Sequence, residues 1–262
     1  MDGDDLYMTL REKAELAQRA AREAAQMLEH HGTLHIRTKA ENDFVTECDL
    51  ASETMIRDAL LGACPEDVFY GEETGGDLKA QGVWIVDPID GTVNFMRGQR
   101  LYTISIAYRL KGEMAVGVVY CPGTDEMFVG VRGEGATLNG RPIRVSDIAD
   151  AKRAIVHIGF GHRNARHLAE TEAVLFPLIR AISDLRRSGS AAYDVCSVAA
   201  GRAEAFIEQG LGIYDYAAGL VILEEAGGRM DGWHPGEDPV ATGSLLAGNG
   251  VLNGTIQTLI NP

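Results

Sequence analysis

Positive charge is what this chain has least of. Lys and Arg number 24 against 38 Asp plus Glu, a formal charge of −14. A balance that acidic argues against a nucleic acid or an anionic membrane as partner. Long apolar runs are missing as well, since none approaches the ~18 residues that span a bilayer. Cysteines are sparse, and Cys48, Cys64, Cys121 and Cys196 form no Cys-x-x-Cys pair. With no His/Cys cluster there is no pattern for zinc, and scattered thiols fit reduced core residues of a cytoplasmic protein. The opening Met1-Asp2-Gly3-Asp4-Asp5 has no apolar segment of the kind a signal peptide needs, which fits the same compartment. Internal repeats and low-complexity segments are also lacking.

What the chain does have is ample apolar material. Its 262 residues are 45% hydrophobic, enough for one large domain or two fused lobes. Leu10, Ala14, Ala17, Ala21, Ala24 and Leu28 recur at helical spacing and predict a long amphipathic helix ending near Gly32. Thr46 and Asp49 have the spacing of a capping box ahead of a second helix that carries Leu50, Ile56, Ala59 and Leu60. Val68–Tyr70 reads as a short strand that stops at Gly71-Glu72-Glu73. Alternating segments at Tyr102–Tyr108, Met114–Tyr120, Glu126–Val131 and Ala136–Leu138 are separated by Lys111-Gly112, Pro122-Gly123 and Asn139-Gly140. These are hairpin signals and predict an antiparallel sheet. Beyond Arg144–Lys152 strands and helices alternate: strands at Ala154–Ile158, Asp184–Arg187, Ala205–Ile207 and Ser244–Gly248, helices at about 165–182, 191–200, 216–226 and 251–260. That order predicts a layered α/β half.

The chemistry centres on Trp84-Ile85-Val86-Asp87-Pro88-Ile89-Asp90-Gly91-Thr92-Val93-Asn94-Phe95. An apolar run stopped by proline and glycine reads as a buried strand ending in a turn. Two carboxylates thus arrive at the end of a rigid element, where ligands bind in layered α/β proteins. Each acid also has a plainer reading. Asp90 could cap a helix, Asp49 could serve only its capping box, Asp215 could favour a helix dipole, and Glu72 could sit in a solvated turn.

In combination the acids are more specific. Gly71-Glu72-Glu73, Asp87-Pro88-Ile89-Asp90-Gly91-Thr92 with Asn94-Phe95, and Tyr214-Asp215-Tyr216-Ala217-Ala218-Gly219 occur in this order. They resemble the inositol monophosphatase family, within the lithium-sensitive, magnesium-dependent sugar-phosphatase superfamily, and the resemblance runs from Lys39 to about Gly228. It implies an α/β protein with the five-layered αβαβα fold. The N-terminal lobe (1–145) would hold the antiparallel sheet and most metal ligands. The C-terminal lobe (146–262) would hold a mixed sheet, Asp215 and the substrate contacts. One compact catalytic unit, usually a homodimer, is implied, with two to three Mg²⁺ per site.

Carried over by position, the resemblance gives Glu72, Asp87 and the carbonyl of Ile89 to a first metal and Asp87, Asp90 and Asp215 to a second. Glu72 would also help hold a weaker third ion through water. Asp49 and Thr92 would orient the attacking water, and the amides of Gly91 and Thr92 would hold phosphate. Asp90, Gly189, Ser190, Ala191 and Glu208 would face the sugar, with Lys39 near the entrance. Two features depart from the family pattern. Tyr214 stands where Trp is common, and Met96-Arg97-Gly98-Gln99-Arg100 replaces a His-Gly-aromatic-Pro pattern. Arg97 and Arg100 near the site would favour a more anionic substrate.

Converging carboxylates cannot all stay ionised without a cation, and an all-oxygen donor set selects hard ions such as Mg²⁺. Such ions also reverse the local sign and let a phosphate approach an acidic protein. The expected function is Mg²⁺-dependent hydrolysis of a small polyol or sugar phosphate, foremost inositol monophosphate. Fructose-1,6-bisphosphatase, nucleotide 3′-phosphatase and NADP(H) phosphatase activities stay open. A haloacid-dehalogenase-type mechanism needs Asp-x-Asp, and here two residues separate Asp87 from Asp90. A regulatory binding protein on the same fold is the rival from outside enzymology.

Overall fold

The computed structural model describes residues 8–30, 36–40, 43–161 and 164–261, with the side chains of 36–45 outside that description. Helix α1 (Leu10–Glu29) begins at a Thr9–Glu12 capping box and stops at His30, short of Gly32. Next comes an unpredicted antiparallel hairpin, β1 (Ile36–Ala40) and β2 (Asp43–Thr46). Thr46 then caps α2 (Glu47–Ala63), with Asp49 completing the capping box. Short β3 (Val68–Gly71) leads into β4 (Gly82–Asp90), followed by the single-turn α3 (Thr92–Met96). Four more strands, β5 (Thr103–Leu110), β6 (Glu113–Cys121), β7 (Glu126–Val131) and β8 (Gly135–Leu138), and a two-residue β9 (Arg141–Pro142) complete a seven-stranded sheet.

The hairpin chemistry explains most of that sheet. Lys111-Gly112 and Asn139-Gly140 both take positive φ, as the right-handed twist of paired strands demands. Pro122-Gly123 behaves differently: it opens a single 3₁₀ turn, and Asp125 supplies the positive φ. The sheet is antiparallel except at one edge, where β3 and β4 run parallel.

The second sheet has the order β11 (Asp184–Arg186), β10 (Ile155–Ile158), β12 (Ala205–Glu208), β14 (Leu245–Gly248), β13 (Arg229–Gly232). It is mixed: β10 is parallel to both neighbours, and β14 is antiparallel to both of its own. Its helices are α4 (Ala165–Ala181), α5 (Ala191–Ala199), α6 (Ile213–Glu225), the one-turn α7 (Pro239–Thr242) and α8 (Asn253–Ile260).

Three apolar cores stack these elements into five layers. The first joins α1 and α2 to one face of the large sheet, through Leu28, Ile56, Leu60, Trp84 and Ile104. A second core places α5 and α6 between the sheets, through Val83, Ile85, Val195, Ile222 and Phe206. The third packs α4 and α8 on the outer face of the small sheet, through Val174, Leu178, Leu246 and Ile256. The arrangement is αβαβα. Two glycines bring α6 onto the large sheet: a Cβ at Gly117 would lie 2.1 Å from the Ala218 carbonyl oxygen, and one at Gly130 2.8 Å from Ile222 Cα. This close approach fixes where the first turn of α6, and therefore Asp215, stands. Helix α6 starts at Ile213, three residues before the predicted Tyr216, so Asp215 lies within it.

Candidate active site

Strand β4 is buried along its whole length and does not end at Pro88. Its ladder with β5 pairs Asp87 with Ser105 and Asp90 with Thr103, so three steps on β4 match two on β5. That extra residue is a β-bulge, which Pro88 suits because it has no amide to place in the ladder. In a regular strand, residues three apart face opposite sides. Here the bulge turns Asp87 and Asp90 towards the same place. Carboxylate oxygens of Asp87, Asp90 and Asp215 lie within 4.8 Å of one another.

Each acid is held by its own neighbours. Asp87 is 1% exposed, and its Oδ1 accepts the Ile89 N–H at 3.0 Å. Asp90 accepts Ser190 Oγ–H at 2.5 Å, Ala192 N–H at 2.8 Å, Ala191 N–H at 3.3 Å and Thr103 Oγ1–H at 3.3 Å. Asp215 accepts the Gly212 N–H at 2.6 Å, closing its helix cap. The capping readings of Asp49 and Asp215 are therefore correct, and neither removes the residue from the site. Asp49 binds Thr46 through Oδ2 while its Oδ1 lies 3.5 Å from Thr92 Oγ1. The single Thr92 hydroxyl proton has the nearer acceptor in the Ile89 carbonyl, at 3.1 Å.

Crowding raises the proton affinity of this cluster. Burial pushes the Asp87 carboxyl well up, with Glu72, Asp90 and Asp215 adding repulsion. Burial likewise lifts Asp215, helped by Asp90, Glu72 and Glu208. Asp90 is pushed up to about 6 by burial, against the donors from Ser190, Ala192 and Ala191. An all-oxygen set of mutually repelling acids fits a hard divalent cation, which would hold them ionised. Cys64, Glu66 and Asp67 form a second cluster, but Asp67 is committed to Lys13, to Trp84 Nε1–H at 3.1 Å and to Tyr108 O–H at 2.9 Å. That group serves the core.

Asp87, Asp90 and Asp215 line a cleft of about 510 Å³. Glu72, Ile89, Gly91, Thr92, Ser190 and Glu208 line it, as do Gly189 and Ala191. Gly91 has φ 91°, and a Cβ there would crowd the Gly189 carbonyl at 3.1 Å. Glu208 is seated against Gly159, where any Cβ would fall 1.9 Å from its carboxyl carbon. Burial lifts Glu208 to about 7, with Arg187 pulling it down and Asp90 and Asp194 pushing it up.

Not every expected residue reaches the cleft. Arg97 and Arg100 are exposed outside it, and Arg100 Nε–H donates to the Gly123 carbonyl at 2.6 Å. Among the described residues, the arginine on the cleft wall is Arg187, stacked 4.9 Å over Phe160. Lys39 lies in β1, where side chains fall outside the described residues. Sequence reasoning missed Asp194, which lines the cleft and pairs with His157 Nδ1. It also missed His167 and Gln209, which line the cleft as well. The spacing of Asp194 four residues after Ser190 puts it on the same helical face as the cap, the one signal that could have found it.

Comparison with known proteins gives this geometry a family. The profile of the inositol monophosphatase family matches residues 8–262. The chain belongs to the inositol monophosphatase family. Its fold is that of this magnesium-dependent phosphatase family, and its acid cluster could hold a metal ion. The "Nus factor SuhB" of Pasteurella multocida is 38% identical over 240 residues, 88% of this chain and 89% of that protein. The crystal structure of extragenic suppressor protein suhB from Bartonella henselae superposes with a TM-score of 0.90 at 32% identity, covering 95% of this chain and 98% of that one. Inositol monophosphatase from Anabaena superposes with a TM-score of 0.86 at 31% identity and covers 97% of each chain. Among the described residues no helix is long and apolar enough to cross a membrane.

Proposed function

We propose that this protein hydrolyses the phosphate monoester of a small polyol or sugar, foremost inositol monophosphate, with Mg²⁺. The observation that carries this reading is the convergence of Asp87, Asp90 and Asp215 in a cleft sized for one phosphorylated ring. Glu72, Asp87 and the Ile89 carbonyl would hold one ion, and Asp87, Asp90 and Asp215 another. Glu72 would also help hold a weaker third through water. Bound there, Mg²⁺ supplies positive charge where negative charge develops on the attacking and leaving oxygens.

The chain's own groups do the rest. Thr92 and Asp49 would position the attacking water: once the Ile89 carbonyl is engaged by a metal ion, the threonine hydroxyl would turn its single proton from that carbonyl to the Asp49 carboxylate and its oxygen would accept from the water. The amides of Gly91 and Thr92 seat the phosphate. Glu208, Ser190 and Ala191 border the alcohol half of the substrate. Nothing in the scheme needs a covalent phospho-enzyme.

The name of the Pasteurella relative raises a second reading, a binding protein on the same fold. The acid set, with Asp87, Asp90 and Asp215 placed by their own hydrogen bonds, favours turnover. A homodimer in the cytoplasm is the assembly and setting proposed with it, and light scattering of purified protein tests the former. The test of activity is phosphate release from a panel of esters with and without Mg²⁺. Chelator should abolish release. Single turnover in isotopically labelled water should place label in phosphate, and a trapped phospho-enzyme would overturn the reading.

A further inference from the structure

The acid cluster sits where β4 ends. At the opposite end of the large sheet, where β4 begins, lies an open groove of about 910 Å³ that shares no lining residue with the cleft. Leu78, Met114, Leu220 and Val240 supply apolar lining, and Val240 is 46% exposed. Ile213, Leu220 and Glu224 recur at helical spacing, so one face of α6 borders the groove.

The charge of this lining is opposite to that of the protein. In a chain of formal charge −14, the groove carries Lys79, Arg109, Lys111 and Arg132 against Glu113 and Glu224. Glu113 is already paired with Arg132 at 2.8 Å. Burial, with repulsion from Glu225, pushes the Glu224 carboxyl up, so its negative charge is held less firmly. Among the described residues, neither Lys79 nor Lys111 is in an ion pair. The backbone fixes where these bases stand. Lys111 N–H donates to the Gln81 carbonyl at 2.7 Å, Arg132 N–H to the Ala115 carbonyl at 2.9 Å, and Lys79 N–H to Asp77 Oδ1 at 2.8 Å. A surface ordered in advance spends less entropy on binding.

Spacing and composition select the occupant. Lys79 precedes β4, Lys111 stands at the β5–β6 turn and Arg132 follows β7. Those positions span three strand separations, roughly 14 Å, too far apart to converge on one phosphate group. An extended peptide covers that span with about four residues. Single-stranded nucleic acid binds on aromatic platforms, and no aromatic residue lines this groove. Apolar lining beside dispersed bases matches the make-up of a protein–protein contact. We infer that this groove is a docking surface for a short acidic peptide segment of a partner protein, carrying apolar anchors among its acids.

The experiment selects displayed random peptides on the immobilised full-length chain and measures labelled copies of the enriched ones by fluorescence anisotropy. Enriched peptides should combine Asp or Glu with two or more apolar residues, and rising salt should weaken their binding. Lys79→Glu with Lys111→Glu should weaken it about tenfold or more, and Val240→Ser should weaken it too. Lys79→Arg with Lys111→Arg keeps the charge and should keep binding. These exposed positions are remote from the acid cluster, so melting temperature and phosphate release should match wild type. The peptide readout needs no turnover and stands whether or not the phosphatase reading does. Enrichment of basic or acid-free peptides, no enrichment, or equal binding to the Glu variant would overturn the inference. Tighter binding of a mixed-sequence single-stranded RNA, lost in the Glu variant, would overturn it in favour of nucleic acid. A dimer in light scattering that the Glu variant alone turns to monomer would assign the groove to a second copy of this chain instead.

Discussion

Asp90 and Ser190 are one hundred positions apart, yet a 2.5 Å hydrogen bond joins them. Ser190 also caps α5, accepting the Tyr193 N–H at 3.3 Å, while Asp90 takes two amides from the same helix start. An acid of the cluster on one sheet thus serves as an anion at a helix terminus that borders the cleft. A carboxylate at a helix N-terminus is stabilised in its charged form, which is why these donors oppose the effect of burial on Asp90.

Ser190→Ala should therefore do two things. Loss of the cap should cost about 1 kcal/mol of stability. Loss of a donor should make Asp90 harder to ionise, so the Mg²⁺ concentration for half-maximal rate should rise. Thermal melting and Mg²⁺ titration of the rate check the two separately. A lower melting temperature with unaltered Mg²⁺ dependence would confine Ser190 to its helix.

Asp215 can be separated from its capping role in the same way. Asparagine keeps an oxygen for the Gly212 N–H, so Asp215→Asn should change stability by at most ~1 kcal/mol. If the carboxylate charge is what counts, kcat should drop by orders of magnitude, each ~1.4 kcal/mol of lost transition-state stabilisation being tenfold. Near-normal kcat would return Asp215 to the cap alone.

The acid cluster also sets a pH dependence. Asp90 moves from 3.8 to about 6 and Glu208 from 4.5 to about 7, both upward on folding. Between roughly pH 4 and 7 the metal-free native state holds protons that the unfolded chain has released. Stability from these groups is complete below that window and is lost as pH climbs through it. In chelator, the melting temperature should fall from about pH 5 to about pH 7.5, and Glu208→Gln should flatten part of the slope. Added Mg²⁺ should stabilise more at the higher pH, where it no longer competes with protons. Scanning calorimetry decides the matter, and a rising slope without metal would show that the acids are ionised unaided.

The contiguous parts of this site were legible because the chain delivers them together: Asp87 to Thr92 is one stretch, with two acids and a glycine at a strand end. The turns at Lys111-Gly112 and Asn139-Gly140 were legible because positive φ selects glycine and asparagine. What could not be read depends on contacts made across the fold. Strand β13 is Arg-Met-Asp-Gly, which has no apolar alternation and pairs through its backbone at a sheet edge. The bulge at Pro88 shows only in the register with β5. Asp194, His167 and Gln209 look like ordinary helix and loop residues until β12 and α4 set them beside the cleft. Arg97 and Arg100 were misplaced for the converse reason, since nearness in sequence to Asp90 did not carry them into it.

Gly71 offers a sharp test of how Glu72 is held. Its backbone has no positive φ, so alanine is conformationally acceptable there. The obstacle is Glu53, a buried acid of α2 whose Oε2 would lie 2.3 Å from the new Cβ. That same oxygen accepts the Glu73 N–H at 2.8 Å, and Glu72 N–H donates to the Val86 carbonyl at 3.0 Å. Gly71→Ala must therefore push either Glu53 or the Glu72 turn aside, an overpacking that should cost about 1–3 kcal/mol. If the turn moves, the Mg²⁺ requirement should rise along with the loss of stability. Adding Glu53→Ala removes the clash, so the double variant should lose less than the sum of the two single variants, with a coupling of about 0.5–3 kcal/mol. Gly75→Ala provides the contrast: its φ is +65° but nothing lies within 4 Å, so it should cost ~1–3 kcal/mol of backbone strain with no coupling to Glu53. Additive effects of Gly71→Ala and Glu53→Ala would mean that Glu53 does not set the position of Glu72.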